Sequence, residues 1–490
     1  MTVTDFERGN QLLAEGRIDE AISAFDRCLV RNPQDWQALS NRGNARLQGK
    51  QYDLALADYL QAAAINPAAN SVKCNLAVLL KELGELALAE SLLREVLAAD
   101  RDNADAWSNL GVVLQHRLQY PEAIAAHRQA VACAGPSAAR FNNLGNAYSC
   151  ALQLDEAVEA YQHALQLAGD DPFARFNLSI VLFLQGSYQE ARPLYESRWD
   201  AILQPRYVEQ RWGGQNLDGK TLLIWAEQGL GDTLQMVRFL PQLQQQYPRA
   251  TILFAVPTTF LRLFGQLDGI TLLELGVTPP AYDWQLPLMS LPGHLGITLD
   301  NLLSQALLAG AGHGFRHARR HDRLRVGIVW ETGTWGVGIV DHARQNKSVP
   351  IDQFATLLAR PDIEFVSLQL GDLPDGWRQQ VLTCPISDFA DTAAIISQLD
   401  LVISVDTSVV HLAGAMGKPV WVLMRAESAP FFMAKGAVSP WYPSMTIWRQ
   451  TTPGDWTPVL QQVSQGSGTF SAAVGTLKYF SINTIRFGEI

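Results

Sequence analysis

Cysteine is scarce in this chain, and the five present (Cys28, Cys74, Cys133, Cys150 and Cys384) form no C-x-x-C pair. That excludes a disulfide framework and a cysteine-rich zinc site, and leaves small buried apolar side chains in a reducing compartment. No run of about 18 apolar residues occurs, so no membrane-spanning helix is expected. The opening MTVTDFERGN has neither a basic stretch nor an apolar one, so no secretion signal is expected and the location read from sequence is cytoplasmic. Positive charge is also short, 38 Lys and Arg against 48 Asp and Glu, for a net charge of −10. A nucleic-acid-binding surface is therefore not the main business of the protein, although a local basic pocket for a phosphate remains allowed. There is no full G-x-G-x-x-G, no Walker loop and no D-x-D-like pair at a strand end.

What is present first is a repeat. At 490 residues the chain is too long for one core. Gly9, Gly43, Gly111 and Gly145 step by 34 or its multiples, with the small residues Ala77 and Ser179 at the remaining points. Ala21, Ala55, Ala89, Ala123, Ala157 and Ala191 keep the same step, as do the mostly large Phe25, Tyr59, Leu93, His127, Tyr161 and Tyr195. Two small residues let a pair of helices approach closely, and the large residue, one turn beyond the Ala, is expected to fill the gap to the next pair. Pro33 and Pro67 stop their helices. Six such pairs stack into an α-solenoid over residues 1–200, because no pair buries its apolar face alone. These positions resemble the tetratricopeptide consensus. Asn41, Asn75, Asn109, Asn143 and Asn177 also step by 34. Their amides can clamp the backbone of a peptide or protein partner in the groove, or bond between helices within the array. Protein O-linked glycosyltransferases with similar repeats use an asparagine ladder, a resemblance that favours the first reading.

The helical period fades after Trp199. Residues 201–219 read as a linker, rich in Gly and Pro. Strands then alternate with helices in the rhythm of parallel sheets. One short Rossmann-like lobe is expected at 220–310, a linker at 311–324, a second Rossmann-like lobe at 325–465 and a divergent tail at 466–490. Strands are expected at 221–227, 250–256 and 270–275 in the first lobe, and at 326–330, 364–368, 401–405, 420–423 and 442–448 in the second. Two such lobes in series form a cleft, a usual place for a ligand.

Three motifs can carry chemistry. Glu227-Gln228-Gly229-Leu230-Gly231-Asp232 follows a strand and opens a helix. Gly229 and Gly231 allow close backbone approach. Asp232 is either a helix N-cap or a carboxylate placed to take a proton, and it can be both. Asp406-Thr407-Ser408-Val409-Val410-His411 begins another helix. Thr407 and Ser408 offer hydroxyls and free N–H groups to a diphosphate, with His411 one turn in, or else the segment is a capped core helix with one satisfied histidine. Lys347, in Arg344-Gln345-Asn346-Lys347-Ser348-Val349-Pro350, can reach a phosphate or lie in a surface loop. The Gly-rich stretch 332–340 before it has the composition of a lid.

The run Asp-Thr-x-x-x-His-Leu-Ala-Gly-Ala-x-Gly-Lys-Pro-Val at 406–420 is similar to the donor-site motif of the lipopolysaccharide heptosyltransferase family. Gly231-Asp232 resembles that family's Gly-Asp, whose Asp is the base, and Lys347-Ser348-Val349-Pro350 resembles its Lys-x-x-Pro. The segments 287–292 and 439–445 look like those of bacterial proteins that join such repeats to a glycosyltransferase. The resemblance implies a two-lobed GT-B fold, a nucleotide-diphosphate sugar as donor substrate, no other cofactor, and inverting transfer without a metal. Donor contacts then fall to Gly229, Gly231, Lys347, Asp406, Thr407, Ser408 and His411, with helix dipole and lysine supplying positive charge. The sequence departs from the family in its short first lobe and around 331–343. The rival reading is a repeat scaffold whose α/β half is catalytically silent.

Overall fold

The structure is a computed structural model that describes residues 4–303, 306–310, 323–333 and 345–465. The tail at 466–490, most of the interlobe linker and the lid stretch beyond residue 333 lie outside the described residues. Helices pair along the repeat from Asp5–Ala14 with Ile18–Arg31 to Pro172–Gln185 with Tyr188–Tyr195. The three small-and-large registers meet within each pair. A Cβ on Gly9, Gly43, Gly111 or Gly145 would lie 2.5–2.7 Å from the ring of Phe25, Tyr59, His127 or Tyr161 respectively. The large residue therefore sits over its own repeat's glycine, 16 positions earlier, which corrects the expectation that it fills the gap to the next pair. Buried tips of these rings are satisfied inside the repeat: Tyr59 and Tyr161 donate to Asn44 and Asn146 at 2.7 Å. A fourth register went unread. Gly16, Lys50, Gly84, Leu118, Leu152 and Gly186 all have positive φ, 54–86°, turning the chain between the helices of each pair. Only half are Gly, so the left-handed step was hidden in the sequence.

Gly43→Val should destabilise the repeat array by about 1–3 kcal/mol, because the Tyr59 ring is fully buried and cannot retreat. Urea unfolding followed by far-UV circular dichroism measures this, and an unchanged midpoint would refute the packing account.

The chain divides into two compact units after Ala174, one helix pair earlier than residue 200. The second unit begins inside Pro172–Gln185 and carries two parallel sheets. Strands β1 (Thr221–Trp225), β2 (Thr251–Val256), β3 (Ile270–Glu274) and β4 (Trp284–Pro287) form one, in the order β3-β2-β1-β4. Strands β5 (Leu324–Val329), β6 (Ile363–Ser367), β7 (Val381–Leu382), β8 (Leu401–Val405), β9 (Val420–Met424) and β10 (Met445–Arg449) form the other, in the order β10-β9-β8-β5-β6-β7. The second is the doubly wound Rossmann order, and the first is its opening portion. Both reverse direction beside their first strand, and such switch points are where ligands bind. Among the strands, β4 and β7 were missed in sequence: β4 ends at a proline beside a 3₁₀ turn, and β7 has two residues.

The short first lobe borrows its cover. Trp199 and Tyr207 pack on Leu223, Trp225, Leu253 and Ala255 of its sheet. Trp212, 2% exposed, stacks on His294 at 4.9 Å and donates its backbone N–H to Gln285. The stretch read as a linker is thus part of this lobe's core. The helix Tyr188–Tyr195 is eight residues long and holds Pro193 inside it, and Tyr188 accepts from Trp441 Nε1 at 2.8 Å. Among the described residues, no helix is long and apolar enough to cross a membrane.

Candidate functional site

Two helix starts face each other across the lobes. One is Leu230–Met236, which follows β1; the other is Ser408–Ala415, which follows β8. Their approach depends on glycine. A Cβ at Gly231 would fall 2.8 Å from His411 Cδ2 and 3.7 Å from Ser408 Cα, and one at Gly414 would strike the Tyr442 ring at 2.5 Å. The contact explains both glycines without a ligand. Just upstream, Gln228 takes φ +65°, an uncommon backbone for a residue with a side chain, held by paired bonds between its amide and Tyr195 Oη at 2.7 and 2.9 Å.

Gly229 is the N-cap of the first helix, and Asp232, at the third helical position, accepts its N–H through Oδ2 at 3.0 Å. The alternative that Asp232 is itself the N-cap is therefore corrected. It closes the helix start from inside, and the Gly229 N–H is occupied by it rather than turned to a donor. Burial pushes the Asp232 carboxyl up to about 6, Asp406 adds to the rise, and the Gly229 N–H and Lys347 oppose it.

Across the lobe contact, Lys347 Nζ lies 3.3 Å from Asp406 Oδ2, with the two side chains 19% and 14% exposed. Burial alone would raise the Asp406 carboxyl. Lys347, by charge and hydrogen bond, together with the charge of Arg425, outweighs it and holds the group below its usual range. Lys347 is placed by the turn before Pro350, where Val349 N–H bonds to the carbonyl of Trp330, the residue after β5. Thr407 is the extended N-cap residue of Ser408–Ala415, yet its hydroxyl pairs with Ser404 Oγ at 3.1 Å, and no side chain caps that helix start. Ser408 begins the helix and is half-buried. The N-terminal N–H groups of such a start attract anions.

His411 has a different place from the donor contact expected of it. It is 7% exposed, bonded through Nδ1 to Tyr442 Oη at 3.2 Å and packed on the Gly231 backbone. Burial pushes its pKa down to about 4, so at neutral pH it is an uncharged packing group and lends no cation to a phosphate.

Sequence reasoning missed Glu227 as a functional candidate. It is 9% exposed and accepts from Arg198 at 3.0 Å and from the Met289 N–H at 3.2 Å through one oxygen, while Oε2 is buried without a bond. Burial pushes it up to about 7, against the pull of Arg198. The signal available was its place at the end of β1, one residue before the positive-φ turn.

Four of the repeat asparagines, Asn41, Asn75, Asn109 and Asn143, lie in the other unit, and Asn177 lies in this one. Asn41 donates to Asn10 at 2.8 Å, Asn75 to Ser40 at 3.2 Å and Asn143 to Ser108 at 3.3 Å. For these three, the bonding within the array that competed with the peptide ladder is what the structure contains. Asn109 and Asn177 are half-buried at the same register. Among the described residues no group of three or more metal-ligating side chains comes together.

Known proteins align with both halves. Tetratricopeptide repeat profiles match residues 6–70 and 142–203, 71–103, and 102–170. The profile of Glycosyltransferase family 9 (heptosyltransferase) matches residues 369–454, a span that includes Asp406, Thr407, Ser408 and His411 but not Asp232 or Lys347. The chain is 26% identical over 343 residues to Protein FlbA of Caulobacter vibrioides, covering 61% of this chain and 55% of that one. It thus spans little more than half the length of this curated relative. Among solved structures, a thermophilic TPR protein of Thermus thermophilus is 27% identical, with a TM-score of 0.35 over 36% of this chain and 97% of that one. The APC/C hetero-tetramer Cut9-Hcn1 is 21% identical, with a TM-score of 0.39 over 42% of this chain and 41% of that one. The chain carries tetratricopeptide repeats in its N-terminal region and a glycosyltransferase family 9 (heptosyltransferase) domain towards its C-terminal end.

Proposed function

We propose that this protein transfers a sugar from a nucleotide-diphosphate donor to an acceptor hydroxyl, with the repeat array presenting the acceptor, a peptide or protein. One observation carries the reading: the Gly231-Asp232 start, the Lys347–Asp406 pair and the uncapped start at Thr407 and Ser408 meet at one junction between two Rossmann-type sheets. Motifs matched by chance would scatter over the fold.

In this reading the diphosphate lies against the N–H groups at Ser408, and Lys347 neutralises part of its charge. Asp406 acts through Lys347, holding the ammonium in place rather than touching the donor. Asp232 removes the proton of the acceptor hydroxyl. The acceptor oxygen bonds to the anomeric carbon as the bond from that carbon to the phosphate oxygen breaks. The nucleoside diphosphate leaves with the electron pair, and the sugar inverts. A half-buried carboxyl near pKa 6 is ionised at neutral pH and is a stronger base than an ordinary aspartate.

The first test is calorimetric binding of a panel of nucleoside diphosphates and their sugars to wild type, Lys347→Met and Asp406→Ala. Loss of a charged phosphate contact should weaken the cognate nucleotide by roughly tenfold to a hundredfold in Lys347→Met, and less in Asp406→Ala. If no nucleotide binds wild type at millimolar concentration, the transferase reading falls and the scaffold reading takes its place.

A further inference from the structure

Beside the helix Tyr188–Tyr195 lies a cavity of about 330 Å³, none of whose lining residues has a role in the proposed transfer. It is at the small end of ligand sites. Phe183, Phe431, Met236 and Ile297 give it apolar walls, and Arg192 lines it as well. Among the described residues no carboxylate pairs with Arg192: its guanidinium rests on the Tyr188 ring at 5.6 Å, and its Nε is buried without a bond. An arginine in a partly apolar cavity with an unsatisfied N–H is costly unless something occupies the cavity and pairs with it.

The neighbouring charges do not supply that partner. Glu196 also lines the cavity, but it is taken by Arg198 and Arg211 and accepts from Ser290. Glu227 is taken by Arg198. Three guanidinium groups thus face two carboxylates, an excess of one positive charge before Glu227 takes any proton. His294, at the wall, is pushed below its usual range by burial, with Glu196 opposing. That direction favours the neutral imidazole. Burial also lowers Arg192 itself, to about 10, the direction expected of a cation without a counterion.

We propose that this cavity binds a small carboxylate with an apolar body, its carboxylate forked on the Arg192 guanidinium and its body against Phe183 and Phe431. A planar fork matches a carboxylate bidentately, and one surplus charge matches one negative charge. A phosphate dianion carries one negative charge more than that surplus. The inference stands apart from sugar transfer, since it concerns binding alone.

The experiment uses 3-phenylpropionate as probe, with the neutral 3-phenylpropanamide and inorganic phosphate as comparisons, measured by calorimetry on the full chain. Wild type should bind the carboxylate saturably at millimolar concentration or below and the amide at least about tenfold more weakly. Arg192→Met should lose the preference. Gly293→Val supplies a second variant, because a Cβ there meets only Arg192 Cδ at 3.6 Å and Cβ at 3.9 Å. It narrows the cavity, keeps the charge, and should weaken the carboxylate even if Arg192→Met fails to fold. Equal binding of acid and amide, tighter binding of phosphate, unchanged affinity in both variants, or no saturable binding to wild type would each overturn the proposal.

Discussion

Asp232→Asn should lower the rate of sugar transfer by about 10²–10⁴-fold while leaving nucleotide binding near the wild-type level. The substitution is nearly isosteric, and the amide oxygen can still accept the Gly229 N–H, so the helix start keeps its shape. What is lost is the basicity. The wild-type rate should fall as pH drops through about 6, where the Asp232 carboxyl takes a proton. Lys347→Met should move that limb to higher pH, since Lys347 is one of the groups that pull the Asp232 pKa down. Folding gives an internal control. The Asp232 carboxyl is raised from 3.8 to about 6 on folding, so the folded state binds more protons in that window and stability declines as pH rises through it. Asparagine removes this decline. The variant should be at least as stable as wild type at pH 7, which separates lost chemistry from lost structure. Single-turnover transfer assays beside urea melts make the measurement, and an Asp232→Asn enzyme that transfers at the wild-type rate would refute the role.

How much of this was readable before the structure depends on what carried the signal. The repeat was legible because Gly43 over Tyr59 and Gly145 over Tyr161 are steric necessities, and these recur at fixed spacing. The left-handed turns at Lys50, Leu118 and Leu152 were not, because tertiary packing there overrides the preference for glycine. In the α/β half, β8 falls at Leu401–Val405, where the apolar run puts it. After β1 the chain runs as Leu230–Met236, a 3₁₀ turn at Val237–Phe239 and then Leu240–Gln246 rather than as one continuous helix. Apolar spacing scarcely distinguishes these, and Pro241 breaks the hydrogen-bond ladder. At the site, glycine and aspartate next to a strand end were visible, but the role of Gly231 as a contact for His411 needed the other lobe. The burial of Arg198 and Glu227 was invisible, since two charged residues in sequence look like surface.

That burial leads to the largest expected loss of stability. Arg198 is 0% exposed; it donates to Glu196 at 2.9 Å, Glu227 at 3.0 Å, Ser290 at 2.8 Å and the Tyr195 carbonyl at 3.2 Å. Arg198→Met keeps much of the volume against Trp199 and Tyr195, whose rings lie 4.5 and 4.7 Å from the guanidinium carbon, but strands Glu227. Breaking a buried pair from one side costs about 3–5 kcal/mol. The cost should depend on pH in a definite direction. Burial already raises Glu227 from 4.5 to about 7, with Arg198 opposing, so wild-type stability declines as pH rises across that window. Without Arg198 the carboxyl rises further, and the decline extends above pH 7. Urea midpoints of Arg198→Met should therefore fall more at pH 8 than at pH 5.5. Adding Glu227→Gln should recover much of the loss at pH 8 by removing the stranded charge, a coupling that a double-mutant cycle reads directly. A uniform loss at both pH values, with no recovery in the double variant, would mean that Arg198 acts by packing alone. If the coupling is found, it ties the residue that follows the sixth helix pair to the end of β1. The glycosyltransferase-like lobe then depends on the last repeat for its fold, and deleting that repeat would expose a buried acid one residue before the turn that sets Asp232.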